Sequence, residues 1–441
     1  MTMTGISALA LEKAIDVSLL TDLGKRVIEI ASPTGEEESF ANFLVETMQD
    51  YGMDGRLQTI YEGRHNAYGH LGGERQGVRV LWSGHMDTSV RGDEPWLTGV
   101  GWKNVPVVED GVIWGNGIRN MKSAFVAYFV AVDAMKRLGI KLPGELVIAG
   151  TAGEIEMSAV DEFTGRDFDS VGMGLRHLLI HGVAADYHLL GEPTGLVPYL
   201  GNPGTVWAKV SVDGTFSHTA FSDHGVHAIE EMWKLWRGLD SWIAQFQKEN
   251  EHRGVKPQIN RSAIRGGMPW RAARTPPSCS MYIDIRLPPH RFPIDVQREF
   301  ELAVHSIAAD ELGAPVAVDW YLSRPGTMIS ESHPLASHVQ DARTEVLGFE
   351  EQAVPYICVC SDAMDANRLG IPTLQFGVGR APGEKTRTTG RGDLRAPRGE
   401  FARVDDIVSM AQIFTLATAS LMGQGVPAMR ASRYDMPTGA S

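Results

Sequence analysis

A short apolar run followed at once by a histidine and an aspartate constrains this chain more than any other segment. Residues 78–82 (VRVLW) predict a buried strand, and residues 84–87 (GHMD) follow it directly. Side chains two residues apart on a strand point the same way, so His85 and Asp87 can share one site. The histidine can bind a metal ion while the carboxylate orients its ring. An isolated pair of this kind is common by chance, so the later motifs decide the function.

Six further motifs follow in the chain, and their order carries more information than any one of them. They are residues 115–122 (GNGIRNMK), 151–156 (TAGEIE), 191–194 (GEPT), 214–218 (GTFSH), 361–363 (SDA) and 370–379 (GIPTLQFGVG). Two of them come directly after predicted strands, Glu145–Thr151 and Tyr187–Leu190. Ligands bind at the carboxyl ends of strands in α/β sheets. We therefore predict an α/β domain whose site residues lie at strand ends.

The pattern changes near residue 205. Residues 206–212 alternate as a strand with one exposed face, residues 228–245 have helical spacing, and residues 279–286 form a second alternating strand. We therefore predict that residues 206–322 form an inserted α+β lid domain. Residues 1–205 and 323–441 then form the catalytic domain.

The motifs, spread from about residue 20 to about residue 419, resemble those of a metallopeptidase family. This family includes acetylornithine deacetylase, succinyl-diaminopimelate desuccinylase, aminoacylase and the glutamate carboxypeptidases. The resemblance implies a zinc-peptidase-like catalytic domain and a lid used for dimerisation, so we expect a homo-oligomer. It also implies two metal ions that share a bridging aspartate. A glutamate pair supplies the general base and one ligand of the second ion, and a histidine near the C-terminus supplies another.

The first metal position keeps its ligands in this sequence. By the resemblance, His85 and Glu192 bind this ion, and Glu154 is the base that takes a proton from the attacking water. Asp87 is expected to fix the His85 ring through its second nitrogen. Asn120 offers a neutral oxygen where the family has the shared carboxylate. We therefore expect one labile divalent transition metal, manganese or zinc, in each chain.

The second metal position has lost its ligands. Ile155, which has no lone pair, replaces the second glutamate of the pair. Arg395 stands at the position of the C-terminal histidine, and its fixed positive charge would exclude a dication. Another possibility stays open, since Glu156, His181 or His224 could rebuild this position.

An anionic, flat, partly apolar substrate would suit the vacated position. Arg395 could pair with a carboxylate or nitro group while Ile155 packs on a ring. Among relatives, this pattern of lost ligands is most similar to that of an enzyme that hydrolyses an aryl amine. In that reaction, water converts 5-nitroanthranilate to 5-nitrosalicylate and ammonia. An N-acyl amino acid amidohydrolase or carboxypeptidase is one alternative, and a non-catalytic binding protein is another. The survival of Glu154 favours an enzyme, because a binding protein needs no base.

Three lid residues are candidates for substrate contacts. By the resemblance, His218 matches a histidine that stabilises the oxyanion, often in the active site of a neighbouring subunit. Arg286 lies where related enzymes hold a substrate carboxylate, although a salt bridge would also explain it. His227 is either a substrate contact or a surface histidine.

The charge of the chain limits its partners. A net charge of −13 argues against nucleic acid and against an anionic membrane. No apolar run is long enough for a membrane span, and the first 20 residues lack a basic leader. We therefore expect a cytoplasmic enzyme that binds a small anionic molecule.

Overall fold

The chain folds into two compact units in a computed structural model that describes residues 6–72, 77–348, 350, 352–380 and 398–424. Unit 1 comprises Met1–Gly201, Met328–Pro355 and Ser361–Ser441, and unit 2 comprises Asn202–Thr327 and Tyr356–Cys360. Unit 2 extends past both ends of the predicted lid, residues 206–322, and it also contains Tyr356–Cys360, which the prediction placed in the catalytic domain. The strands Gly204–Asp213 and Val316–Arg324 of unit 2 extend past the predicted limits, so the boundaries fall beyond these strand ends.

The described residues contain these elements in chain order. The strands are β1 (Arg56–Tyr61), β2 (Arg64–Gly72), β3 (Arg79–His85), β4 (Val107–Glu109), β5 (Val112–Trp114), β6 (Glu145–Thr151), β7 (Tyr187–Leu190), β8 (Gly201–Asn202), β9 (Gly204–Asp213), β10 (Ile259–Gly266), β11 (Ser278–Leu287), β12 (Val316–Arg324), β13 (Thr327–Met328), β14 (Thr373–Gln375) and β15 (Phe401–Arg403). The helices are α1 (Ala8–Ala14), α2 (Val17–Glu29), α3 (Glu38–Asp50), α4 (Ser123–Arg137), α5 (Met173–Ile180), α6 (Ala228–Glu249), α7 (Pro293–Glu311), α8 (Pro334–Leu347), α9 (Ala363–Arg368) and α10 (Val404–Gly423).

Unit 1 is built on a six-stranded sheet in the order β1-β2-β6-β3-β7-β14. Strands β6, β3, β7 and β14 are parallel, and β1 and β2 add an antiparallel hairpin at one edge. The central parallel strands are buried along nearly their whole length, as expected for a sheet covered on both faces. His85 of β3 is in register with Thr151 of β6, so these carboxyl ends lie side by side. The predicted α/β class is confirmed.

The core of unit 1 centres on Trp82 of β3, which is fully buried. Its ring lies 5.5 Å from that of Tyr128 and 5.4 Å from that of Phe414. Its indole N–H donates to Thr418 Oγ1 at 2.9 Å. Helix α10, which carries Phe414 and Thr418, is long and apolar enough to cross a membrane. However, 78% of its apolar 18-residue stretch is buried inside the protein. A core helix of a globular protein has the same property.

A histidine inside the sheet links three of the parallel strands. His188 of β7 has Nε2 2.6 Å from Ser83 Oγ and Nδ1 3.1 Å from Thr373 Oγ1. The Thr373 hydroxyl donates to the Ile371 carbonyl at 2.9 Å, so it accepts from Nδ1–H, and Nε2 accepts from Ser83. Burial lowers the pKa of His188 to about 3. The ring is therefore neutral at all ordinary pH values.

Acid should destabilise the protein through His188. The unfolded chain protonates this histidine below about pH 6.5, whereas the folded protein does so only near pH 3. The free energy of unfolding should therefore fall by up to about 1.4 kcal/mol per pH unit below pH 6.5 through this group. Denaturant unfolding of the wild type and of His188→Gln at pH 7.5 and pH 5 measures the effect. The variant should lose about 2 kcal/mol less over this interval, and equal losses would contradict the assignment.

Unit 2 is a four-stranded antiparallel sheet in the order β10-β11-β9-β12. Helices α6 and α7 cover one face, and their apolar side chains share one buried cluster with residues of the strands. This cluster includes Leu235, Phe300, Val210 and Met281. Strand β10 lies at the edge of the sheet and is largely exposed.

Candidate active site

Three buried side chains meet at the carboxyl ends of β3, β6 and β7. One ligand atom from each of His85, Glu154 and Glu192 lies within 4.8 Å of the other two. His85 Nε2 lies 3.7 Å from Glu154 Oε2. His85 ends β3, whereas Glu154 and Glu192 lie in the loops that follow β6 and β7. Within the described residues, this is the one group of three His, Cys, Asp or Glu side chains close enough to hold a metal ion.

Asn120 brings a fourth donor atom to this group. Its Oδ1 lies 3.0 Å from His85 Nε2. Asn120 belongs to the short turn Ile118–Lys122 that precedes α4, and the peptide bond after it is cis. Gly117 enters this turn with a φ of 75°, and a Cβ there would lie 2.5 Å from Thr88 Cγ2. Glycine therefore satisfies both the backbone conformation and the close approach.

Asp87 orients His85 through a different atom from the one predicted. His85 Nδ1 lies 2.9 Å from the Asp87 carbonyl oxygen but 3.6 Å from carboxylate Oδ1. The carboxylate is turned toward the next loop, where it accepts from the backbone N–H groups of Glu154 at 3.1 Å and Ile155 at 2.9 Å. The Thr34 hydroxyl donates to it at 2.9 Å. Asp87 thus fixes the His85 ring so that Nε2 faces Glu154 and Asn120. It also fixes the loop that carries Glu154.

Burial dominates the electrostatics of the site. Burial raises the pKa of Glu154 well above its ordinary value, although His85 opposes this shift, and it also raises the pKa of Glu192. Burial alone would lower the pKa of His85, but the carboxylates of Asp87, Glu154 and Glu192 raise it well above its usual value. Glu192 Oε1 has no hydrogen-bond partner among the described residues. A buried carboxylate oxygen without a partner, beside one nitrogen and two further oxygens, fits a divalent cation.

Asp362 is a buried acid near this group to which the sequence assigns no role. It directly precedes α9 and is 1% exposed. Its Oδ2 accepts from Thr151 Oγ1 at 2.9 Å, and Oδ1 has no hydrogen-bond partner within the described part of the chain. Burial, assisted by Asp365, raises the pKa of Asp362 to about 7. The motif at residues 361–363 was the available signal, but nothing in the sequence shows that it contacts the end of β6.

The alternative ligands of a second ion that belong to unit 1 are Glu156 and His181. Both lie outside the group of three buried side chains. Ile155 is half-buried, and Glu156 is exposed. His181 is exposed after α5, with its ring stacked 3.9 Å from that of His177. Arg395 lies outside the described residues. The structure thus brings together the predicted ligands of one ion.

The predicted substrate residues of the lid belong to unit 2. His218 is exposed, and its Nδ1 accepts from a backbone N–H two residues later, which leaves the ring proton on Nε2. His227 precedes α6 with a buried Nδ1 that has no partner among the described residues. Arg286 has 12% of its side chain exposed, and its Nε donates to Asp284 at 2.7 Å. It thus forms a salt bridge, which was the alternative to a substrate contact. His224 is exposed beside an aspartate.

Known proteins match nearly the whole chain. The family model described as peptidase family M20/M25/M40 matches residues 81–419. The LysW-lysine hydrolase of Deinococcus radiodurans is 26% identical over 375 residues, covering 82% of this chain and 89% of that protein. The acetylornithine deacetylase of Vibrio parahaemolyticus is 25% identical over 340 residues, covering 76% and 82%. A tripeptidase structure from Staphylococcus aureus has a TM-score of 0.70 at 20% identity, covering 93% of this chain and 100% of that one, and shows the same fold.

Proposed function

The chain belongs to peptidase family M20/M25/M40, and we propose that it hydrolyses a carbon–nitrogen bond of a small carboxylate-bearing substrate with the help of one divalent metal ion. Its relatives are hydrolases that include a deacetylase, so the proposal starts from an enzyme that hydrolyses amide bonds. The observation that carries the proposal is the buried group of His85, Glu154 and Glu192, with Asn120 at hydrogen-bonding distance from the histidine.

Each side chain of the site has a separate role in this proposal. His85, Glu192 and Asn120 would hold the ion, which when bound acts as a Lewis acid that makes water a better nucleophile. Glu154 takes a proton from the attacking water and delivers it to the leaving nitrogen. Burial supports this role, because it raises the pKa of the Glu154 carboxyl and so makes the carboxylate a stronger base. Asp87 holds the Glu154 loop through two backbone N–H groups.

The residues beside the base favour a single ion. Ile155 follows Glu154 directly and offers no ligand atom, and Glu156 is exposed. For the substrate, we propose an electron-poor aromatic amine with a carboxylate, because Ile155 can pack on a ring where a glutamate could not. Arg395 would pair with the anion. N-acyl amino acids are the second candidate, since one relative is an acetylornithine deacetylase.

Two substrates separate these candidates. The full-length protein, loaded with manganese or zinc, is incubated with 5-nitroanthranilate and, separately, with N-acetylornithine. We expect ammonia from the first substrate, little acetate from the second, and no product after chelation of the metal. Turnover of N-acetylornithine alone would contradict the aryl-amine proposal and favour an amidohydrolase. No turnover of any C–N substrate, with metal bound, would favour a binding protein.

We further propose that unit 2 joins two copies of the chain, and three large exposed apolar side chains of this unit support the proposal. Trp233 of α6 is 57% exposed, Ile264 of the edge strand β10 is 51% exposed, and Trp270 is 78% exposed. Large apolar side chains that cluster on a surface are typical of an interaction site. In such a dimer, the exposed His218 would contribute its Nε2–H to the neighbouring active site as an oxyanion donor.

Trp233→Glu should convert a dimer to a monomer. A charge placed on a buried apolar interface remains unpaired and costs several kcal/mol. Light scattering coupled to gel filtration measures the mass. Trp96→Glu is the matched control, because Trp96 is a 71% exposed tryptophan of unit 1. A wild-type monomer, or a dimer retained by Trp233→Glu, would contradict this assignment.

A further inference from the structure

We propose that Glu400 is a positioning residue for Asn120, and that it sets the affinity of the metal site without touching the metal. This inference rests on the proposed function, in which Asn120 is a ligand. Glu400 directly precedes β15 and takes no part in the chemistry described above.

The Glu400 carboxylate holds the backbone of the turn that carries Asn120. Its Oε2 accepts from the backbone N–H groups of Arg119 and Asn120, both at 3.1 Å. The φ and ψ of Asn120 are −119° and 90°, and those of Met121 are −137° and 34°, so both residues lie outside the helical conformation. Glu400 is only 9% exposed, and a buried carboxylate that accepts two N–H groups makes charge-assisted bonds. The carboxylate therefore stabilises a turn that regular helical bonding does not hold.

Glu400 is itself held by its backbone. Its N–H donates to the Gly101 carbonyl at 3.1 Å, and its carbonyl accepts from the Gly115 N–H at 3.2 Å. A Cβ on Gly101 would lie 2.3 Å from the Glu400 carbonyl oxygen, so this approach requires glycine. The next residue, Phe401, pairs with Trp114 across β15 and β5, and their rings lie 5.0 Å apart. The carboxylate thus extends from a fixed strand rather than from a mobile loop.

The position of the Asn120 backbone decides where its amide oxygen lies. An asparagine side chain has two rotatable bonds, so a fixed backbone leaves few positions for Oδ1. In this structure, Oδ1 lies 3.0 Å from His85 Nε2. A neutral amide oxygen binds a dication less strongly than a carboxylate does, so its contribution depends on being correctly placed before the ion arrives. Residues that orient metal ligands typically contribute about 10- to 100-fold in metal affinity.

The test is a double-mutant cycle on manganese affinity, measured by titration calorimetry of the metal-free full-length protein. Glu400→Ala and Asn120→Ala should each weaken binding about tenfold. The double variant should bind no more weakly than Asn120→Ala, because Glu400 acts through Asn120. Glu400→Gln, which keeps an acceptor oxygen, should bind within a few-fold of the wild type. Glu12→Ala, which removes an exposed glutamate of α1, is the matched control and should change nothing.

Either of two results would overturn the inference. One is an unchanged affinity in Glu400→Ala, and the other is an equal loss in the wild-type and Asn120→Ala backgrounds, as a general structural role would give. If Glu400→Ala does not fold, Glu400→Asp, shorter by one methylene, is judged in both backgrounds by the same criteria. His85→Ala separates the two levels of the proposal. If it binds manganese as tightly as the wild type, the metal site itself is wrong, whereas loss of binding with an additive cycle overturns the positioning role alone.

Discussion

Glu154→Gln is expected to lower kcat by about 10²- to 10⁴-fold while the protein still binds its metal ion. Glutamine has the same shape as glutamate but cannot accept the proton of the attacking water. The backbone N–H of residue 154 still donates to Asp87, so the loop keeps its position. Turnover of the proposed substrate and manganese content by elemental analysis are measured on the same preparation.

The control for this variant is Glu156→Gln, an exposed acid two residues later, which should keep wild-type turnover. Two outcomes would change the assignment of Glu154. If Glu154→Gln keeps most of its activity, the base lies elsewhere. If the variant loses the metal together with the activity, Glu154 is a ligand, which its place within 4.8 Å of the other two donors allows.

His85→Ala is expected to remove both the bound ion and the activity. His85 contributes the one nitrogen of the group, and its Nε2 lies 3.0 Å from Asn120 Oδ1 and 3.7 Å from Glu154 Oε2. Alanine leaves only oxygen atoms, which are poorer ligands for transition metals such as zinc. Elemental analysis after equilibration with manganese or zinc should give about one ion per wild-type chain and none in the variant.

The matched control for His85→Ala is His181→Ala, which removes an exposed histidine of the same unit and should keep the ion. Two ions per wild-type chain would mean that other residues rebuild the second position. The single-ion proposal would then be wrong, and the amidohydrolase alternative would gain support. A variant that keeps its ion would exclude His85 as a ligand.

The strands that carry the ligands could be predicted from sequence because they are short apolar runs that end in polar motifs. Residues 78–82 and β6 are buried on both faces, and their composition alone indicates this. The hairpin of β1 and β2 could not be predicted in this way. Strand β2 buries Arg64, whose charge is offset by a two-point ion pair with Glu37 at 2.7 and 3.0 Å. A buried arginine is tolerated only with such a partner, and sequence spacing does not reveal one.

The site residues also differ in whether sequence could predict their contacts, because some contacts are local and others are distant along the chain. His85 ends a strand, and Glu154 and Glu192 lie in the loops that follow two neighbouring strands, so their order along the chain predicts their meeting. The contacts of Glu400 and Asp362 depend on segments that come back to the site from far along the chain. Arg286 pairs with Asp284 at 2.7 Å, as the salt-bridge alternative predicts, and its role as a substrate contact stays a prediction.

The bond from Trp82 to Thr418 also limits how early unit 1 can be completed during synthesis. The two residues are 336 positions apart, so at about 5–20 residues per second the ribosome needs roughly 20–70 s to supply the partner of Trp82. Until then, the apolar faces of β3 and α4 lack the helix that covers them. The main segment of unit 2, Asn202–Thr327, leaves the ribosome within this interval and can fold first. The inserted unit therefore prolongs the time for which the apolar faces of the nascent core stay exposed.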